Sequence, residues 1–158
     1  MTDAYYMRLA ITEAKKAADM GEVPVGAVIV DSFGEVISTA HNLRESLNDP
    51  TAHAEILAIR DAAKKLKTHD LSGCEIYTTC YPCPMCMSAI IWANIKKVYY
   101  GNTRKEAGLI GFRDRDIFNF IKYSDKDGND YLNLESMDHD ETIETFNKFV
   151  EKKDKDMY

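Results

Sequence analysis

A chain of 158 residues with a hydrophobic share of 45% can bury a core of its own, most simply as one domain. Its net charge of −6 argues against a polyanionic partner, because nucleic-acid binders carry a basic face and the lysine clusters here sit among acids. A membrane span is excluded too, since the apolar stretch 89–93 is short and runs into Lys96 and Lys97.

Residues 4–20 set Met7, Ala10, Ile11, Ala14, Ala17 and Ala18 at helical spacing, with Asp3 to cap the start and Gly21 the end. The first residues of the chain carry acid, aromatic and arginine residues where a secretory leader needs an apolar core. Residues 25–30 are an apolar, β-branched run that suits a buried strand, and Ser32-Phe33-Gly34 turns it into a second strand over 35–39. A polar loop over 41–51 follows, with a turn at Asp49-Pro50. Thr51 then caps a helix over 53–66, in which Ile56, Ile59 and Ala63 share a face.

Residues 74–79 alternate as a strand, 84–94 form a helix, and 97–100 form another strand closed by Gly101. Strand, helix and strand at this spacing imply parallel pairing through a right-handed crossover. Beyond them, 106–115 reads as a loop, 116–121 as a short helix, 124–130 as a turn, 131–134 as a strand and 141–150 as a helix. The expected fold is α/β, a three-layer α/β/α sandwich around a mixed five-stranded sheet.

The chemistry concentrates in Pro82-Cys83-Pro84-Met85-Cys86 and in His53-Ala54-Glu55. Cys83 and Cys86 are spaced to bring two sulfurs to one face of a helix, and Pro84 fits its first turn. With His53 they make three ligands and leave a fourth position open, as a catalytic zinc requires. His53 and Glu55 do not share a helix face, so the site must lie just off the first turn, where side chains tilt back toward the N-terminus. Two thiolates nearly neutralise a zinc ion, which leaves its water in need of a base. Glu55 is placed to take that proton without ligating the metal.

Two other readings use the same cysteines. Cys80 closes a Cys₃His structural site, or Cys80, Cys83 and Cys86 begin an iron–sulfur run, although position 90 is Ile where a fourth cysteine belongs. Neither gives Glu55 a role. The four cysteines between 74 and 86 suit thiolate chemistry in a reducing cytoplasm. Cys74 reads as core, and His41, His69 and His139 as packing or surface residues.

On the paired motif the chain resembles the zinc-dependent base deaminases of the cytidine/deoxycytidylate deaminase superfamily. Within it, Asn48-Asp49-Pro50-Thr51-Ala52-His53-Ala54-Glu55, Gly73-Cys74, Tyr77-Thr78, Ala89-Ile90, Trp92-Ala93 and Gly111-Phe112 with Asp114 are similar to blocks of the bacterial-type guanine deaminases. That resemblance implies a cytidine deaminase-like fold, one Zn²⁺ per subunit, and hydrolysis of guanine to xanthine and ammonia in the cytoplasm. It implies that Asn42 and Asp114 hydrogen-bond the purine and that Trp92 and Tyr158 wall the pocket. It also implies a homodimer whose C-terminal tail crosses to the partner subunit. The block Glu22-Val23-Pro24-Val25-Gly26-Ala27-Val28 looks more like tRNA adenosine deaminases and cytosine deaminases, and Tyr81 stands where the guanine family has Glu. Those two activities remain alternatives, as does a zinc-binding interaction module without catalysis.

Overall fold

The structure, a computed structural model, describes residues 2–123, 132 and 134–157. The chain runs through α1 (Asp3–Asp19), β1 (Gly26–Val30), β2 (Val36–His41), α2 (Ala54–Leu66), β3 (Glu75–Cys80), α3 (Pro84–Trp92), β4 (Lys97–Asn102), α4 (Arg104–Leu109), α5 (Asp114–Tyr123) and α6 (His139–Glu151). It divides into two compact units, Met1–Phe118 and Asn119–Tyr158.

In the first unit the sheet order is β2-β1-β3-β4. β1 pairs antiparallel with both β2 and β3, and β3 pairs parallel with β4. The expected hairpin and the parallel crossover through α3 are therefore both present. Alternation along β1 explains the layering. Ala27 and Ile29 pack with Ala54, Ala58 and Ala62 of α2 and with Ile90 of α3, whereas Val28 and Val30 pack with Tyr6 and Ala10 of α1. One face of the sheet thus carries α1 and the other carries α2 and α3.

Gly26 allows the close approach of α1, since a Cβ there would lie 2.0 Å from the Ala10 carbonyl oxygen. The end of α1 is a left-handed turn at Gly21 (φ 75°), closed by Gly21 N–H to Ala18 O at 3.0 Å and Glu22 N–H to Ala17 O at 2.9 Å.

Several expectations need correction. The sheet has four strands among the described residues: Leu132 and Leu134 are not in a strand, and Tyr131 and Asn133 lie outside those residues, as does the turn over 124–130. The N-cap of α2 is His53, not Thr51, whose N–H and hydroxyl instead both donate to Asp49 Oδ1. Gly101 does not end β4 but lies inside it, where its missing side chain lets the strand approach the Thr79 carbonyl; a Cβ would sit 2.8 Å from that oxygen. Part of the loop assigned to 106–115 is helical, because Thr103 and Glu106 form a capping box that starts α4. In the second unit α6 leaves Ile143, Phe146, Phe149 and Val150 exposed. No helix among the described residues is long and apolar enough to cross a membrane.

Candidate metal and base-binding site

Two helix starts and a strand end converge on one cavity. His53 and Cys83 are the N-caps of α2 and α3, both with extended backbone, and Pro84 occupies the first turn of α3. Cap residues sit half outside their helices, which solves the spacing problem posed by His53 and Glu55. His53 leans out of the helix while Glu55, inside its first turn, points into the core and is 3% exposed.

His53 Nδ1 lies 3.5 Å from Cys83 Sγ and 3.6 Å from Cys86 Sγ. Zinc binds sulfur at about 2.3 Å and nitrogen at about 2.0–2.1 Å, so a tetrahedral ion sets such ligands about 3.6 Å apart. The three donors fit zinc in kind and in spacing. Among the described residues they form the one cluster of His, Cys, Asp and Glu able to hold a metal, and Cys80 is not a fourth member.

The electrostatics favour thiolate at Cys83 and hold the proton on Cys86, which is raised by its hydrogen bond to Cys83 first and then by burial. Cys83 is pushed down to about 4 by the hydrogen bonds it receives, from Cys86 first and then from His53 and the Cys86 backbone N–H. Its hydrogen bond to Cys83 is likewise the main reason His53 is raised. Cys80 is pushed up to about 11, chiefly by burial and then by the nearby Glu55 charge. Burial also raises Glu55, whose Oε1 accepts the Thr78 hydroxyl at 2.9 Å and whose Oε2 lies 3.4 Å from Cys86 Sγ.

The cavity over this cluster has a volume of about 370 Å³, within the range of about 300–1,000 Å³ usual for small-molecule sites. Asn42, His53, Glu55 and Asp114 line it together, with Val23, Val25, Phe112 and Ile117 as apolar walls. Burial is the main reason the Asp114 carboxyl is raised, with the Cys83 thiolate second.

Trp92 does not line this cavity. It ends α3, whose first turn carries the cysteines, and eight residues of helical rise place it about 12 Å away along the axis; it is 59% exposed. Tyr158 lies outside the described residues. Two groups beside the site fell inside family-like blocks without being singled out as site residues. Thr78 points inward by strand alternation alone, and Glu22, 6% exposed, reaches Asn42 Nδ2 from behind at 3.4 Å. Arg44, Tyr81 and Arg113 also line the cavity.

A mixed sheet that brings a His/Cys/Cys cluster and a buried carboxylate to one small-molecule cavity defines the class of metal-assisted hydrolase sites. The profile of the cytidine and deoxycytidylate deaminase zinc-binding region matches residues 1–102, and the chain belongs to that family of zinc-dependent deaminases. A tRNA-specific adenosine deaminase of Aquifex aeolicus is 50% identical over 108 residues, 68% of this chain and 71% of the relative. A guanine deaminase of Bacillus subtilis is 42% identical over 122 residues, 77% of this chain and 78% of the relative. A crystal structure of guanine deaminase from Bacillus subtilis superposes with a TM-score of 0.90 at 36% identity, covering 100% of this chain and 99% of that one.

Proposed function

We propose that this protein deaminates a free nucleobase, hydrolysing guanine to xanthine and ammonia. The observation that carries this reading is the reach of the guanine deaminase likeness through the whole chain, past residue 102 where the family profile ends. That later stretch supplies Gly111, Phe112, Arg113, Asp114 and Ile117 to the cavity, the wall most able to select a base.

His53, Cys83 and Cys86 hold the zinc ion, one per subunit, and it supplies Lewis acidity together with a water-derived nucleophile at neutral pH. Glu55 moves the protons. With Oε1 fixed by Thr78, it takes one proton from the attacking water at Oε2 and delivers it to the purine ring nitrogen, then carries a second, from the hydroxyl added at C2, to the departing amine. Asn42 and Asp114 orient the ring, and the apolar walls exclude bulk water. The subunits pair as a homodimer in which the tail residue Tyr158 completes the pocket, a state that sedimentation would test.

A second reading, adenosine in tRNA, is favoured by the 50% identity to a tRNA-specific enzyme. Against it stands the stretch 135–144, which carries five acids and no Lys or Arg. Ammonia release from zinc-loaded protein offered guanine, cytosine, adenine, their nucleosides and tRNA in parallel separates these. Turnover of guanine alone is expected; preference for cytosine or for tRNA would replace the guanine assignment. An inactive wild type against every substrate would favour a zinc-binding module instead.

A further inference from the structure

Glu22 follows the left-handed turn that ends α1, so its backbone is fixed before its side chain acts. The carboxylate is 6% exposed and is met by donors from the loop after β2. Oε1 accepts the Ser46 N–H and the Ser46 hydroxyl, both at 2.7 Å, and Oε2 accepts the Glu45 N–H at 3.2 Å and Asn42 Nδ2 at 3.4 Å. These donors, the Ser46 hydroxyl foremost, hold the Glu22 carboxyl below the usual glutamate range. It is therefore ionised at neutral pH and can only accept.

An acceptor of this kind decides which way a neighbouring carboxamide faces. The Asn42 amide must turn its nitrogen to Glu22, because the flipped form would set Oδ1 against a carboxylate oxygen. Asn42 is 4% exposed and lines the cavity, and its Oδ1 accepts no hydrogen bond from a described residue. No fully buried side-chain polar atom among the described residues lacks a partner, so Oδ1 opens onto the cavity.

We propose that Glu22 is a positioning residue for base selection: it locks the Asn42 carboxamide with Oδ1 toward the substrate, so that this edge of the site accepts a hydrogen bond from a ring N–H. The inference rests on the reading of the cavity as a base site. Oδ1 and the Asp114 carboxylate then present acceptors to the ring. Guanine offers ring N–H groups to such a surface; the N1 edge of adenine offers an acceptor and is repelled.

The test has two arms. In the first, wild type and Glu22→Gln are compared on guanine and on 1-, 7- and 9-methylguanine, with zinc content and melting temperature as controls. The methyl group that blocks the selected N–H should raise KM at least about tenfold in wild type. Glu22→Gln places an amide where Oε2 stood, the Asn42 amide loses its fixed direction, and that discrimination should fall below about threefold while kcat on guanine changes less than KM. A uniform loss on all four substrates, at normal zinc content and melting temperature, would overturn the proposal.

The second arm needs neither turnover nor a stable variant. In wild-type protein the Asn42 side-chain amide, assigned by its disappearance in Asn42→Ala, should show one slowly exchanging proton. Two protons exchanging at the rate of free amides would refute the lock. Because this arm is read without substrate, it separates failure of the Glu22 contact from failure of the guanine assignment, which wild-type ammonia release reports.

Discussion

Thr78 Oγ1 lies 2.9 Å from Glu55 Oε1 and is itself fully buried, so its loss leaves a carboxylate oxygen in the core without its donor. Thr78→Val should lower kcat roughly tenfold or more with zinc content unchanged, as steady-state rates and metal analysis would show. The ligand set gives a sharper contrast. His53→Ala and Cys83→Ala should each lose zinc and turnover together, whereas Cys80→Ala should keep both, because the Cys80 sulfur stands outside the cluster. Retained turnover without His53 would sink the metal assignment. At this scale much of the site could be read in advance. His53, Glu55, Cys83 and Cys86 are marked by fixed spacings, and Asn42 and Asp114 by resemblance. Thr78 and Glu22 stood in family-like blocks, but their roles could not be read there, because a hydrogen bond across 23 or 20 residues leaves no local pattern.

Elements were legible where one period dominated. The alternation of β3, the apolar run of β1 and the helical spacing of α1 each predicted their structure within a residue or two. Errors gathered where two signals competed. Thr51 has the chemistry of a helix cap, but Asp49 captures its hydroxyl first, and the helix starts two residues later. Gly101 reads as a stop, yet it serves a close approach between neighbouring strands. Gly108 hid the capping box that makes α4 a helix. The contact at Gly26 is the element-scale feature most open to test. A methyl group there meets the backbone of α1, which cannot move without leaving the sheet. Gly26→Ala should cost about 1–3 kcal/mol or more, measured by urea unfolding.

For the whole molecule, the two candidate substrates differ in charge, and salt should act on them differently. Turnover of a free base should change less than about twofold between 50 and 200 mM salt, while a substrate held through several phosphates would lose orders of magnitude in affinity over the same range. Comparing KM at the two salts for guanine and for tRNA checks this. The order of helical and strand-like runs also predicted a fold with helices on both sides of a mixed sheet, and the first unit has it. The strand count was over-read, because the run at 131–134 has strand-like residues without a strand at Leu132 or Leu134.

The two proposed metal ligands that cap helices carry a further consequence. The His53 carbonyl accepts the Leu57 N–H at 3.0 Å and the Cys83 carbonyl accepts the Met87 N–H at 2.8 Å, so each of these residues also closes the first turn of its helix. A side chain held by an ion anchors that turn; one released from it frees the turn to fray. Chelation should therefore be visible as faster deuterium uptake at Leu57 and Met87 together, two amides far apart in sequence, while β3 between them stays protected. The ion would act as a clasp on folding as well as a reagent.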